Sequence, residues 1–251
     1  MDGQWPFAWI PIGRAGASSG LRAGISLARA GDMDLARRRE LPYRGRLLSA
    51  LGVEPSRARA VRQVHSRTVV RVDGRGPVDG PFVEADGMVS DRQDLLLTVT
   101  VADCLPIFLE DRRTAAFGIV HSGWKGTGIV VEAIRAMTTA YGSRPADLAV
   151  TVGPGIGPCC YTVPRERAER FLAEFGSGAV ARGPDADHRL NLAAANVRLL
   201  ERGGVEDVTV ITDCTSCTAG LGSSRREGAG AFTRMLAFIG AFNGAVSPAE
   251  A

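Results

Sequence analysis

The sequence has few features of secreted, membrane-spanning or nucleic-acid-binding proteins. Its apolar runs are far shorter than the roughly 20 residues that a membrane span requires, and no basic segment precedes an apolar stretch at the N-terminus. Neither a membrane helix nor a signal peptide is therefore expected. Five cysteines are too few for a disulfide framework, and their odd number favours reduced thiols in a cytoplasmic protein. Basic runs do not alternate with aromatic residues, which disfavours nucleic acid as a partner.

Lysine and histidine are also scarce. Lys125 is the only lysine, and the histidines are limited to His65, His121 and His188. Residues 1–75 contain fourteen arginines against six acidic residues, a balance of +8, whereas the rest of the chain carries −5. A basic segment of this kind either forms a solvated surface or attracts an anionic ligand such as phosphate.

The composition and the hydrophobic pattern are those of a globular protein with mixed secondary structure. Apolar residues make up 45% and charged residues 23% of 251 residues, which is enough for one large domain. Segments rich in Val, Ile, Leu and Thr predict strands at 7–12, 95–101, 105–109, 115–120, 148–152 and 208–212. Helical spacing predicts helices near 37–39 and at 129–141, 165–175, 192–202 and 232–242. This order predicts an α+β fold, a mixed α/β sandwich, with residues 1–251 in a single domain.

Three predicted strand ends carry the residues with the strongest chemical potential. His65, Cys104 and His121 each follow an apolar segment and precede a loop or bend, where functional residues are commonly presented. Two imidazoles and one thiolate are a natural ligand set for a catalytic zinc ion, which often keeps its fourth position for water. Their spacing does not establish that they meet, so three buried structural residues are the alternative.

The same residues also suit nucleophilic catalysis. In this interpretation Cys104 attacks the substrate, His65 or His121 lowers the pKa of the thiol, and Asp103 orients the base. In the zinc interpretation Asp103 accepts a hydrogen bond from a ligand imidazole. The two interpretations compete for the same side chains and are separable by experiment.

Two further segments are candidates for binding an anion. Gly153, Gly155 and Gly157 alternate after a predicted strand, and they either expose backbone N–H groups to phosphate or form a stiff structural turn. Arg225 and Arg226 supply two guanidinium groups, which either bind phosphate or form salt bridges in a surface loop.

The remaining cysteines form two short pairs. Cys159 and Cys160 are adjacent, and Cys214 and Cys217 form a CxxC motif with no second CxxC. Neither pair has a histidine or an acidic partner at metal-ligand spacing. These four cysteines are therefore predicted to bind no zinc.

Taken together, the motifs resemble the YfiH/LACC1 family, also described as polyphenol oxidase-like or purine nucleoside phosphorylase proteins. The resemblance runs in order from Arg62 to Met235 through RQVHS, ADGMVSD, ADCLPIFLED, HSGWKGTG, GPGIGPCCYTV and DCTSC followed by SRREG. It implies a single α/β sandwich domain. It also implies a zinc ion, with copper as the alternative, bound by His65, Cys104 and His121.

The resemblance further implies phosphorolysis of adenosine, inosine and methylthioadenosine, together with deamination of adenosine, so a nucleoside and phosphate are the expected partners. The alternatives are a Cys–His hydrolase that edits peptidoglycan precursors, a copper laccase, and a non-catalytic interaction module stabilised by zinc. Three histidines are too few for the several imidazoles of a multicopper cluster. Gly222, Ser223 and Ser224 stand where the family has Phe-Ser-Tyr, a difference in a region that shapes the expected nucleoside pocket.

Overall fold

The described residues form short strands and helices, with six strands in succession between the first two α-helices. The computed structural model describes residues 6–16, 20–74, 82–228 and 230–242. Its strands are β1 (Phe7–Ile10), β2 (Leu21–Ser26), β3 (Ala58–Ala60), β4 (Val69–Arg71), β5 (Gly87–Ser90), β6 (Leu96–Val101), β7 (Leu105–Asp111), β8 (Phe117–Ser122), β9 (Leu148–Val152), β10 (Thr162–Val163), β11 (Val180–Arg182), β12 (His188–Leu190), β13 (Asp207–Val210) and β14 (Met235–Ala241). Its helices are α1 (Tyr43–Ala50), α2 (Ile129–Tyr141), α3 (Arg165–Phe175), α4 (Leu192–Arg202) and α5 (Ser224–Glu227).

Two large sheets enclose the central core. One has the strand order β1-β2-β14-β6-β3, and the other has the order β13-β9-β7-β8-β5-β4. Val99, Phe108 and Ile119 belong to the apolar core cluster that both sheets share. Successive side chains of a strand point to opposite faces, so Ile107 and Leu109 of β7 belong instead to the cluster that α2, α3 and α4 cover. The six-stranded sheet is therefore buried on both faces.

The outer face of the five-stranded sheet is covered by α1. Leu47 and Leu48 of this helix form a separate apolar cluster with Leu96 and Phe238 of the sheet. The layers thus follow the order helix, sheet, sheet, helices, and the predicted mixed α/β sandwich is confirmed. A small sheet, with the order β10-β12-β11, contacts α3.

The prediction of a helix at 232–242 is wrong, because most of this segment forms β14 in the middle of the five-stranded sheet. Met235, Ala237 and Ile239 face the core between the sheets, whereas Leu236 and Phe238 face the α1 side. A strand that is buried on both faces is apolar throughout and lacks the alternation that identifies a half-buried strand.

The predicted helix near 37–39 is also absent from the structure, which has turns at 35–40. The helix begins at Tyr43 instead, directly after Pro42, and a proline is tolerated where a helix begins because its missing N–H is not needed there. The helices predicted at 129–141, 165–175 and 192–202 match α2, α3 and α4. Among the described residues, no helix combines the length and the hydrophobicity that a membrane crossing requires.

Candidate metal centre and substrate pocket

His65, Cys104 and His121 meet beside the ends of two central strands of the six-stranded sheet. Cys104 lies in the turn before β7, and His121 lies near the end of β8, where it is paired with Pro106 of β7. His65 lies in the loop between β3 and β4. One ligand atom from each residue lies within 4.8 Å of the other two. The three residues are therefore close together in space, which their spacing in the sequence did not establish.

Asp86, which is fully buried, positions two of these residues. Its Oδ1 accepts hydrogen bonds from the backbone N–H of His65 at 3.0 Å and from Nδ1 of His121 at 2.8 Å. Its Oδ2 accepts from the N–H groups of Val64 at 3.1 Å and Ser66 at 2.6 Å, and from the Ser66 hydroxyl at 2.8 Å. These bonds hold His65 at a φ of 60°, a left-handed conformation that is uncommon outside glycine. Because Nδ1 of His121 binds Asp86, its Nε2 is left for a metal ion.

Asp103 bonds away from the imidazoles, so the orienting role predicted for it belongs to Asp86. Oδ1 of Asp103 accepts from the hydroxyls of Thr215 and Ser223, each at 2.6 Å, and Oδ2 accepts from the N–H of Arg225 at 2.7 Å. The carboxylate therefore ties the β6–β7 turn to the segment around α5. The ADGMVSD motif contained the signal for Asp86, but its distance in sequence from both histidines concealed the contact.

The three side chains form a charged network. Burial raises the pKa of Cys104, but the charge and hydrogen bond of His121, followed by those of His65, lower this pKa to about 6. Burial lowers the pKa of His121, but the Cys104 thiolate and Asp86 raise it to about 9. In the metal-free site the thiol and the imidazole thus favour each other's charged forms. A metal ion that binds here displaces the proton of His121.

This donor set fits a borderline or soft transition metal. Thiolate and imidazole are the ligands that zinc and copper prefer, and carboxylate-binding ions such as Mg²⁺ are disfavoured. Three protein ligands without a fourth among the described residues are typical of catalytic rather than structural zinc sites. His188 lies in β12, outside this group, so the described residues lack the imidazoles of a multicopper cluster.

The glycine in the HSGW motif leaves room for the Cys104 thiol. A Cβ added at Gly123 would lie 2.6 Å from Sγ of Cys104 and 3.4 Å from Cδ2 of His65. The first distance is far below van der Waals contact, so the thiol has to move if this glycine acquires a side chain.

We therefore expect Gly123→Ala to displace the thiol and weaken metal binding, with a cost in stability of about 1–3 kcal/mol from overpacking. Metal content and melting temperature measure the two effects. Gly45→Ala is the matched control, because an added Cβ in this turn of α1 meets nothing within 4 Å. Unchanged metal affinity in Gly123→Ala would show that the thiol has free space.

A pocket of about 980 Å³ opens at the three ligands, which is large enough for a nucleoside together with phosphate. Its wall combines aromatic rings with charged and polar groups, among them Phe82, Tyr161, Phe232, Gln63, Asp34, Arg38, Arg225 and Arg234. The side chain of Gln63 donates to the carbonyl of Thr100 and accepts from its N–H and hydroxyl, each at 2.8 Å. These hydrogen bonds attach the loop that contains Gln63 and His65 to strand β6.

Of the two arginines predicted to bind phosphate, Arg225 lines this pocket. Its guanidinium lies 5.3 Å from the centre of the Tyr161 ring and donates to the carbonyl of Cys160 at 3.1 Å. Arg226 is directed elsewhere, because its guanidinium donates to the carbonyls of Thr215, Thr218 and Leu221. Its bonds organise the loop before α5.

Backbone N–H groups of the predicted glycine loop are hydrogen-bonded to other parts of the protein. Three of them are paired within the protein: Gly153 with the Pro106 carbonyl at 2.8 Å, Ile156 with the Asp103 carbonyl at 2.8 Å, and Gly157 with Sγ of Cys214 at 3.2 Å. A Cβ added at Gly155 would lie 2.5 Å from Cδ2 of Leu105, so this glycine allows a close approach to β7. These contacts favour the structural turn over an anion cradle.

A double-sheet sandwich thus places a His–Cys–His group that could hold a metal ion beside a pocket, and similarity to known proteins specifies the family. The sequence profile of the multi-copper polyphenol oxidoreductase laccase family matches residues 16–241. The chain belongs to this family, as the resemblance to YfiH and LACC1 implied.

Three relatives illustrate the membership. A protein named purine nucleoside phosphorylase from Deinococcus radiodurans is 35% identical over 90% of this chain and 85% of its own length. The human purine nucleoside phosphorylase LACC1 is 31% identical over 68% of this chain, but this chain matches 40% of the human protein. The crystal structure of YlmD from Geobacillus stearothermophilus has a TM-score of 0.85 at 29% identity, over 97% of this chain and 98% of YlmD. These names support an enzyme of the purine nucleoside phosphorylase type.

Proposed function

We propose that the protein is a zinc-dependent purine nucleoside phosphorylase that cleaves adenosine, inosine and methylthioadenosine, and that it also deaminates adenosine. The observation that carries the proposal is the position of His65, Cys104 and His121 at a pocket large enough for a nucleoside and phosphate. The names of the relatives support the phosphorolysis of a purine nucleoside.

In phosphorolysis, a phosphate oxygen bonds to C1′ of the ribose while the bond from C1′ to the purine nitrogen breaks. The purine leaves with the electron pair and takes up a proton, and the sugar becomes ribose 1-phosphate. Catalysis therefore requires a cationic group for phosphate, a surface for the purine ring, and stabilisation of the negative charge that develops on the leaving base.

The pocket offers a group for each requirement. Arg225 supplies the cation, and the rings of Tyr161, Phe82 and Phe232 offer apolar faces for a purine. A zinc ion held by the His–Cys–His site supplies a Lewis acid, which stabilises developing negative charge or activates water for deamination. Asp86 keeps the ligand imidazole of His121 oriented throughout.

The decisive experiment incubates the metal-replete protein with adenosine, with and without phosphate, and separates the products by chromatography. We expect adenine, hypoxanthine and ribose 1-phosphate only when phosphate is present, and inosine as the product when phosphate is absent. A protein that keeps its metal and leaves adenosine unchanged in both samples contradicts the proposal.

Arg225→Ala is expected to raise the phosphate KM of phosphorolysis roughly ten- to a hundredfold, the loss of a charge-assisted contact of about 1.5–3 kcal/mol. Deamination, which uses water, is expected to keep its rate. Arg226→Ala is the comparison, because its guanidinium bonds to loop carbonyls and its removal is expected to lower the melting temperature. Equal losses of both activities in Arg225→Ala point instead to damaged nucleoside binding.

A second candidate is a Cys–His hydrolase that acts on an amide of a peptidoglycan precursor. The position of Cys104 beside His121 and His65 favours it. Burial raises the pKa of this thiol, but the two imidazoles lower it further, as an activated thiol nucleophile requires. The zinc enzyme and the hydrolase make opposite predictions for a metal-free protein. A third outcome, a zinc-stabilised interaction module, predicts unfolding on metal removal and no turnover of adenosine at any stage.

A further inference from the structure

The four remaining cysteines, which are distant in sequence, meet in space. One Sγ atom from each of Cys159, Cys160, Cys214 and Cys217 lies within 4.8 Å of the other three. The Sγ of Cys217 lies 3.6 Å from that of Cys159 and 3.3 Å from that of Cys160. The prediction that these residues bind no zinc rested on the lack of a histidine or an acidic partner at ligand spacing. It did not take into account that each cysteine pair is brought to the other by the fold.

These distances suit a tetrahedral metal site. Zinc–sulfur bonds of about 2.3 Å in a tetrahedron separate neighbouring sulfur atoms by about 3.8 Å. A disulfide bond, in contrast, brings two sulfur atoms to about 2.05 Å. The cluster is therefore close to the size of a four-thiolate zinc site and too open for a disulfide.

The backbone holds the two cysteine pairs in register before any metal binds. Gly155 and Cys214 form a parallel β-bridge, and the N–H of Thr215 donates to the carbonyl of Gly155 at 3.1 Å. The N–H of Gly157 donates to Sγ of Cys214 at 3.2 Å, the kind of contact that stabilises a thiolate. A preformed ligand set of this kind reduces the ordering that metal binding requires.

Three arginines bond to the backbone carbonyls of the cluster. Arg189 donates to the carbonyl of Cys159 at 2.6 Å, and Arg225 donates to the carbonyl of Cys160 at 3.1 Å. Arg226 donates to the carbonyls within the CxxC loop, at 2.5 Å and 3.4 Å. Arg189 and Arg226 are also ion-paired, with Asp187 at 2.9 Å and with Glu227 at 2.8 Å, so their charge is already partly neutralised. Four thiolates around a divalent ion carry a net charge of −2, and the guanidinium of Arg225 lies close enough to complement it.

We propose that Cys159, Cys160, Cys214 and Cys217 bind a second zinc ion in a closed, structural site that is separate from the His–Cys–His centre. Four sulfur ligands in a tetrahedral arrangement select zinc over hard cations, and they leave no position for substrate. The ion fastens the loop after β9 to the loop after β13. The second loop supplies Thr215, whose hydroxyl holds Asp103 beside Cys104, so the second site supports the first one indirectly.

The test measures zinc per chain by elemental mass spectrometry after purification in a reducing buffer. We expect two zinc ions in the wild type, one in the double variant Cys214→Ser/Cys217→Ser, and one in Cys104→Ser. Ser216→Ala, which lies between the two cysteines and keeps every thiol, is the matched control and should retain two. Two zinc ions in the double variant, or a single ion in the wild type that is lost in Cys104→Ser, would overturn the proposal.

A second measurement remains informative if the double variant does not fold. Cobalt in place of zinc gives a thiolate-to-metal charge-transfer absorption whose strength increases with the number of thiolate ligands. The folded Cys104→Ser variant lacks the thiolate of the first site, so a strong absorption there requires the four-cysteine site. No such absorption, or a mass lower by two hydrogens under non-reducing conditions, contradicts the site, the latter because it reveals a disulfide. These readouts do not involve adenosine, so they are independent of the proposed enzymatic activity.

Discussion

Replacing Cys104 with serine is expected to abolish phosphorolysis and deamination together. The thiolate is one of three ligands, and a serine hydroxyl stays protonated near neutral pH, so the His–Cys–His site loses its metal while the four-cysteine site keeps its own. Metal content and the turnover of adenosine, measured on the same preparation, check this result. The zinc retained at the second site is an internal control for folding.

The hydrolase alternative makes the opposite prediction. Chelation of the wild-type protein should eliminate turnover reversibly if the metal is required, and activity should survive chelation if Cys104 is the nucleophile. Iodoacetamide labelling of the native, metal-free protein then identifies the reactive thiol. Full turnover of adenosine by thoroughly demetallated wild type would exclude the zinc mechanism.

Asp86→Asn is expected to lower metal affinity about 10–100-fold, which is the usual cost of losing the group that orients a ligand imidazole. The amide preserves the shape of the side chain, but one of its two ends can only donate. In either orientation, hydrogen-bond donors of residues 64–66 or of His121 lose their acceptor inside a buried site. Competition with a zinc indicator measures the affinity, and thermal unfolding measures the accompanying loss of stability.

Asp91→Asn is the matched control for this variant. Asp91 belongs to the same ADGMVSD motif, but it is exposed, so its replacement should change neither property. If Asp86→Asn also binds metal as tightly as the wild type, the orientation of the two histidines does not depend on this carboxylate.

The three residues that meet at the first candidate site could be selected from the sequence because each is a scarce residue at the end of a predicted strand. Asp86 could not be found in this way, because its function is to accept hydrogen bonds from residues that only the folded loop brings to it. The proximity of Cys214 to Cys159 and Cys160 could not be found from the sequence for the same reason. It arises only because the loop after β9 lies against the loop after β13 in the folded protein. Spacing along a chain identifies local motifs, whereas both of these relationships depend on tertiary contacts.

The secondary-structure predictions likewise succeed where the local pattern is sufficient and fail where tertiary packing decides. Helices α2, α3 and α4 have one apolar face, and their periodicity defined both ends of each helix. Strand β14 is covered by the second sheet on one side and by α1 on the other, so its sequence contains no alternation that would distinguish it from a buried helix. The error at 232–242 thus follows from the number of layers, which the local sequence does not encode.

The ligands of the His–Cys–His site come from three separate parts of the chain, the loop after β3, the turn before β7 and the end of β8. An unfolded chain does not hold them together, so an ion at this site would bind the folded state far more tightly than the unfolded state. Any ion bound there shifts the folding equilibrium by mass action, by about 4 kcal/mol when the free metal exceeds its dissociation constant a thousandfold. Melting temperatures recorded in chelator and in metal-containing buffer consequently describe two different equilibria, and their difference reports the combined stabilisation by all the ions that the folded protein binds.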